Sequence, residues 1–121
     1  MQGSKLTASD GIELHVYTWL PEGDVAGTIQ IAHGMGEHAA RYDDLAQRLA
    51  TEGYAVYAND HRGHNAPRRT SSDGWNRVIE DALELNGHMR AQHPEAPCAL
   101  IGHSMGVMLA QQFIARHAHS I

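Results

Sequence analysis

Cysteine is almost absent: Cys98 is the sole one in 121 residues. No intramolecular disulfide can form, and because a secreted domain this small commonly carries paired cysteines, a reducing, cytoplasmic setting is the expectation. Cations are scarce too, Lys and Arg totalling 9 against 14 Asp and Glu, for a formal net charge of -5. A chain of that sign has no general attraction for phosphate backbones or anionic lipid, so nucleic-acid binding is not expected. Long hydrophobic runs are also missing. No stretch approaches the ~20 apolar residues that span a bilayer, so no transmembrane segment is expected. The opening Met1-Gln2-Gly3-Ser4-Lys5-Leu6-Thr7-Ala8 lacks the apolar core of a signal peptide. Internal repeats, low-complexity tracts and linkers do not occur.

What is present is an ordinary globular mix. Hydrophobic residues make up 42% and charged residues 19%, enough apolar surface to fold and about the length of a single domain, 1–121. Ten histidines are many for this length, so the net charge becomes less negative as pH falls through about 6.5. Ile12 to Leu20 alternates apolar and polar positions as a half-buried strand does. Ser9-Asp10-Gly11 before it supplies turn chemistry, which predicts a hairpin with Lys5 to Ala8. Gly27 to Ala32 is a second strand, running straight into His33-Gly34-Met35-Gly36. From Ala40 to Glu52 the pairs Leu45, Leu49 and Ala46, Ala50 recur at helical spacing, and Gly53 is a natural stop. Tyr54 to Ala58 reads as a buried strand, and Asp60 to Gly74 as loop by composition. Trp75 to Gln92 restores a helical period through Val78, Ile79, Ala82, Leu85 and Met89, ended by Pro94 and Pro97. Cys98 to Gly102 is a short apolar strand, and Met105 to His117 returns to helix. The alternation implies an α/β domain with a mostly parallel sheet, helices on its faces and an N-terminal antiparallel hairpin, its ligands at the carboxyl ends of the strands.

Two loops leave those ends with unusual sequences. Gly102-His103-Ser104-Met105-Gly106 fits G-x-S-x-G between an apolar strand and a helix, the context of a nucleophile elbow. Gly102 and Gly106 flank a turn too tight for side chains, and Ser104 is lifted above the sheet as the candidate nucleophile. Acyl transfer forms a tetrahedral oxyanion and needs two preorganised backbone N–H groups beside the nucleophile. The N–H of Met105 and that of Met35, in His33-Gly34-Met35-Gly36-Glu37-His38, are the candidates.

Taken together, HGMGEHAARYDDLAQRLATEGYAVYANDHRGH, GWNRVIEDALELN and GHSMG resemble the monoacylglycerol lipase and lysophospholipase branch of the α/β-hydrolase superfamily, which includes serine aminopeptidases of the S33 type. The resemblance implies a serine esterase or lipase acting on esters of glycerol or similar alcohols. It matches Ser104 to the nucleophile and Met35 and Met105 to the oxyanion positions. It needs no cofactor, and its substrate is a small ester or lipid. In that family the acid and the histidine follow the serine in the chain, and only seventeen residues follow Ser104 here. The expectation is therefore a truncated α/β-hydrolase fold, corresponding to the N-terminal half. Asn65 stands where the family usually has Gly, and Val107 where a small residue is common.

A serine hydroxyl needs a base within hydrogen-bond reach. In a comparable triad, losing the histidine alone costs on the order of 10⁶-fold in kcat, and oxyanion stabilisation with binding retains ~10³ to 10⁴ over water. His33, His38, His61 and His64 belong to loops on the catalytic edge and are the candidate substitute bases. His61-x-x-His64 and His117-x-His119 have ligand-like spacing, but zinc needs three or four converging ligands and no Cys pair or HExxH accompanies them, so no metal is expected. The loop after the second strand lacks the G-K-[ST] of a phosphate loop. An aminopeptidase and a catalytically weak binding scaffold are the alternatives to an ester hydrolase. Lastly, the resemblance places the Cys98 to Gly102 strand beside that of Gly27 to Ala32, with its other edge open. Short, apolar and free of Lys and Pro, it predicts a homodimer or higher homo-oligomer.

Overall fold

The computed structural model describes residues 2–7, 11, 13–33, 39–60, 74–102, 110–111 and 114–115. Five strands form one sheet: β1 (Gln2–Thr7), β2 (Glu13–Trp19), β3 (Gly27–Ala32), β4 (Tyr54–Asn59) and β5 (Cys98–Gly102), in the order β1-β2-β4-β3-β5. β1 and β2 pair antiparallel, as do β2 and β4, whereas β3 runs parallel to both β4 and β5. Helix α1 (Asp43–Thr51), entered through a 3-10 turn at Ala39–Tyr42, connects β3 to β4, and α2 (Gly74–Gln92) precedes β5. This is the expected α/β sheet with its N-terminal hairpin, whose turn includes Gly11 at φ 87°; where a mostly parallel sheet was expected, the hairpin also joins β4 antiparallel, so the sheet is mixed.

Side-chain alternation divides the sheet into two faces. On one, Trp19, Ile29, Ile31, Val56 and Ala58 bury against Ala46 of α1. On the other, Leu14, Val16, Ala55 and Tyr57 meet Leu85 and Met89 of α2, while Ala32 meets Val78, Ile79 and Ala82. β3 is buried along its whole length, the pattern of a strand covered on both faces. All five apolar positions that define the helical period of α2 are buried, each large one contributing about 1.5–3 kcal/mol.

Local departures from the sequence reading have identifiable causes. The segment from Ala40 begins as a 3-10 turn, and the α-helix starts only at Asp43, where Asp43 and Asp44 meet the positive end of the helix dipole. Leu45 is 41% exposed and Ala46 fully buried. A small residue at the seat facing the sheet lets the helix approach Ile29, Ile31 and Val56. Tyr54 opens β4 exposed, and the strand extends to Asn59. Gly53 stops α1 as expected: its φ is 101° and its N–H donates to the carbonyl of Ala50 at 3.0 Å, a left-handed cap that a Cβ would strain. Gly27 sits close to its neighbour: a Cβ there would lie 3.2 Å from the ring of Tyr54, which would have to shift slightly to admit it.

Candidate functional site

Three strands deliver their carboxyl ends to one edge of the sheet. β3 lies in the middle, paired to β5 through Ala32 opposite Gly102 and to β4 through Ile31 opposite Ala58. Parallel neighbours are about 4.8 Å apart, so the chain leaving Gly102 toward Ser104 starts one strand spacing from the chain leaving Ala32 toward Met35. Gly102 is the last residue of β5. His33, immediately after β3, is completely buried. Ser104, Met105, Gly106, Met35, His38, His61 and His64 lie outside the described residues.

The same edge holds polar groups that the sequence reading passed over. Asn59 and Asp60 are 3% and 4% exposed, although Asp60 reads as the first residue of a polar loop. The Asp60 backbone N–H donates to the carbonyl of His15 at 3.0 Å, carrying the β2–β4 ladder one step further. The Tyr17 hydroxyl donates to Asp60 Oδ2 at 3.1 Å, and Asn59 Nδ2 donates to the Asp60 carbonyl at 3.2 Å. The Tyr17 phenol is pushed above its ordinary pKa, first by burial and then by the negative charge of Asp60 and the hydrogen bond to it. The available signal was positional: a polar pair directly after the run Tyr54 to Ala58 sits at a buried strand end, where a side chain is held by its neighbours.

Among the described residues no group of three or more His, Cys, Asp and Glu side chains converges on a point that could hold a metal ion. No described helix is long and apolar enough to cross a membrane. A cavity of about 510 Å³ beside Trp19, Pro21 and Gly53 opens at the other edge of the sheet. Another of about 570 Å³ lies between the end of α2 and β5, bordered by Arg90, His93, Cys98 and Leu100.

A mixed sheet whose β4, β3 and β5 run parallel, with helices on both faces, and a G-x-S-x-G segment that follows the strand beside a histidine-glycine sequence, define the α/β-hydrolase class. The sequence model of the serine aminopeptidase S33 family matches residues 23–121, and the chain belongs to that family, in its monoacylglycerol lipase-like branch. It is 37% identical over 109 residues to the monoacylglycerol lipase of Mycolicibacterium smegmatis, a match covering 88% of this chain and 39% of that protein. With the monoglyceride lipase of Rattus norvegicus it shares 38% identity over 104 residues, covering 84% of this chain and 34% of the other. Its structure superposes on a highly thermostable carboxyl esterase from Bacillus coagulans in complex with glycerol. The TM-score is 0.86 and the identity 27%, over 99% of this chain and 41% of the esterase. The chain thus spans between a third and about two fifths of the length of these relatives.

Proposed function

We propose that the protein is a serine hydrolase that cleaves carboxylic esters through an acyl-enzyme on Ser104. Gly102 and Gly106 flank the elbow, and the backbone N–H groups of Met35 and Met105 receive the oxyanion. The observation that carries this reading is the pairing of Ala32 with Gly102, which starts the two loops from adjacent strands at one edge. Ser104 Oγ attacks the ester carbonyl while a base takes its proton; the alcohol leaves with that proton, and water then hydrolyses the acyl-enzyme by the same path. The base is one of His33, His38, His61 and His64, or comes from a second chain. Esters of glycerol are the favoured substrates, because the relatives include lipases of monoacylglycerol and an esterase in complex with glycerol. No cofactor takes part.

The S33 description of the family favours a second reading, release of an amino acid from a peptide bond. Both readings require covalent labelling of the protein by a fluorophosphonate, abolished in Ser104→Ala. Turnover of a short nitrophenyl ester in preference to an aminoacyl nitroanilide supports the esterase, and the reverse preference the peptidase. A protein that neither labels nor turns over either substrate is a binding scaffold, and the proposal fails.

Self-association through β5 is a further proposal: among the described residues that strand pairs only with β3, and it carries no charge and no proline.

A further inference from the structure

Tyr17 on β2, Asp60 directly after β4 and His33 directly after β3 lie along three neighbouring strands of the sheet. Tyr17 packs against the cluster on the α1 face and holds Asp60 Oδ2 at 3.1 Å, so the Asp60 carboxylate lies on that face, one alternation beyond Val56 and Ala58. On β3, Ile29 and Ile31 enter the same cluster, and one further alternation assigns His33 to it as well. The β3–β4 register pairs Ile31 with Ala58; carried on by two residues, it sets His33 opposite Asp60, one strand spacing away. Both are buried, at 0% and 4% exposure. A carboxylate removed from water is tolerated when donors converge on it, and a charged donor does so best.

We propose that Asp60 is a positioning residue acting through His33: its carboxylate orients the imidazole and keeps it protonated at the root of the candidate oxyanion loop. The inference rests on the reading of Met35 as an oxyanion donor. A positive charge fixed two residues before that N–H, in a site of low dielectric, favours the developing oxyanion more than the neutral ester. His33 is then occupied by Asp60, which leaves His38, His61 and His64 as the bases within the chain.

Other ionisable groups border this row. β2 contributes His15, which is exposed, besides Tyr17; the 3-10 turn and α1 contribute the exposed Arg41 and Asp44, and Asp43, whose carboxylate accepts from Trp19 and Gln47. The adjoining end of β5, Ile101 and Gly102, has no ionisable side chain. On the opposite face α2 carries Glu80, Asp81 and Glu84, of which Asp81 is buried. Glu37, His38, His61, Arg62 and His64 are near in sequence.

Imidazole NMR titration of the full chain tests the assignment, with the His33 resonance identified by its loss in His33→Gln. Burial alone lowers a histidine pKa and a facing carboxylate raises it, so the expected value in the unmutated protein lies above the ordinary ~6.5. Asp60→Asn is expected to lower it by about one unit or more, and Asp81→Asn to leave it in place. A His33 that titrates below ~6.5 in the unmutated protein overturns the proposal, as does a response to Asp81→Asn equal to that of Asp60→Asn. The first criterion needs no variant and stands even if Asp60→Asn fails to fold. Because the readout requires no turnover, it separates failure of this inference from failure of the esterase reading. Where hydrolysis is measurable, Asp60→Asn is expected to lower kcat roughly tenfold at neutral pH with KM unchanged.

Discussion

Trp19 is 2% exposed, and its indole N–H donates to Asp43 Oδ1 at 2.7 Å while Gln47 Nε2 donates to Oδ2 at 2.8 Å. These two bonds, the Trp19 bond foremost, hold the Asp43 carboxyl below the usual carboxylate range. A depressed folded-state pKa means that the unfolded chain binds the proton more readily. The resulting stabilisation is full above the ordinary value of about 3.9 and is lost as pH falls through the depressed one. The urea midpoint of the unmutated protein should therefore fall more steeply below about pH 4 than that of Asp43→Asn, the two curves converging in acid. Parallel acid limbs would show that the pair contributes nothing. At the candidate site the single-residue prediction concerns a backbone group. Met35→Ala keeps the proposed oxyanion N–H and should retain esterase activity within a few-fold. Met35→Pro deletes that N–H and should lose about 10² to 10³ in kcat. Equal rates for the two variants would remove Met35 from the oxyanion hole. Ser104 and Met35 are proposed from letters in short motifs and lie outside the described residues. Asp60 was not legible in the sequence, because composition cannot distinguish a carboxylate buried beneath a tyrosine from one in a solvated loop.

Helix α2 is fastened to β3 by more than its apolar stripe. Gln30 Nε2 donates to the Ala82 carbonyl at 2.9 Å, and Gln30 Oε1 accepts from Asn86 Nδ2 at 3.1 Å. The helix carbonyl accepts only, so it fixes which end of the Gln30 amide faces it. Gln30 Oε1 in turn fixes the Asn86 amide, leaving Asn86 Oδ1 buried without a hydrogen-bond partner. Gln30→Leu and Asn86→Leu should each cost about 1–3 kcal/mol, because each strands a buried polar group, whereas the double substitution should cost clearly less than their sum. Additive costs in urea unfolding would show the two amides to be independent. Neither residue stood out in the sequence, where Gln30 is one polar letter in a β-branched strand and Asn86 falls on a helix judged by its apolar residues. Elements came through wherever one periodicity ran undisturbed, as from Val78 to Met89. They blurred where two stripes competed: Leu45, Leu49 and Ala46, Ala50 have equal spacing, and only the space against β3 and β4 selects the Ala46 side.

Among the described residues the sheet has two outer strands, β1 and β5, with opposite chemistry. β1 is polar and exposed along most of its length and carries Lys5, paired to Glu13 at 3.4 Å. A charged edge of this kind resists further strand addition. β5 reads Cys-Ala-Leu-Ile-Gly, has no charge and no proline, and among the described residues pairs only through β3. Ile101 is 36% exposed on it, and Ile114 is 48% exposed beside the adjoining cavity. The adjacency of β5 to β3 was legible only through the resemblance that supplied the strand order, since periodicity identifies strands and not their neighbours. If two copies pair about a two-fold axis through Leu100, antiparallel symmetry sets Ala99 against Ile101 of the partner subunit, and no like charges meet anywhere along the strand. The protein is therefore expected to sediment as a dimer of its 13.2 kDa chain at micromolar concentration. Ile101→Lys places a charge in the middle of that contact and should shift the population to monomer without changing the circular dichroism, whereas Lys5→Ala on the far edge should leave association intact. A clean monomer for the unmutated protein would refute self-pairing. Dissociation by Lys5→Ala and not by Ile101→Lys would move the contact to β1.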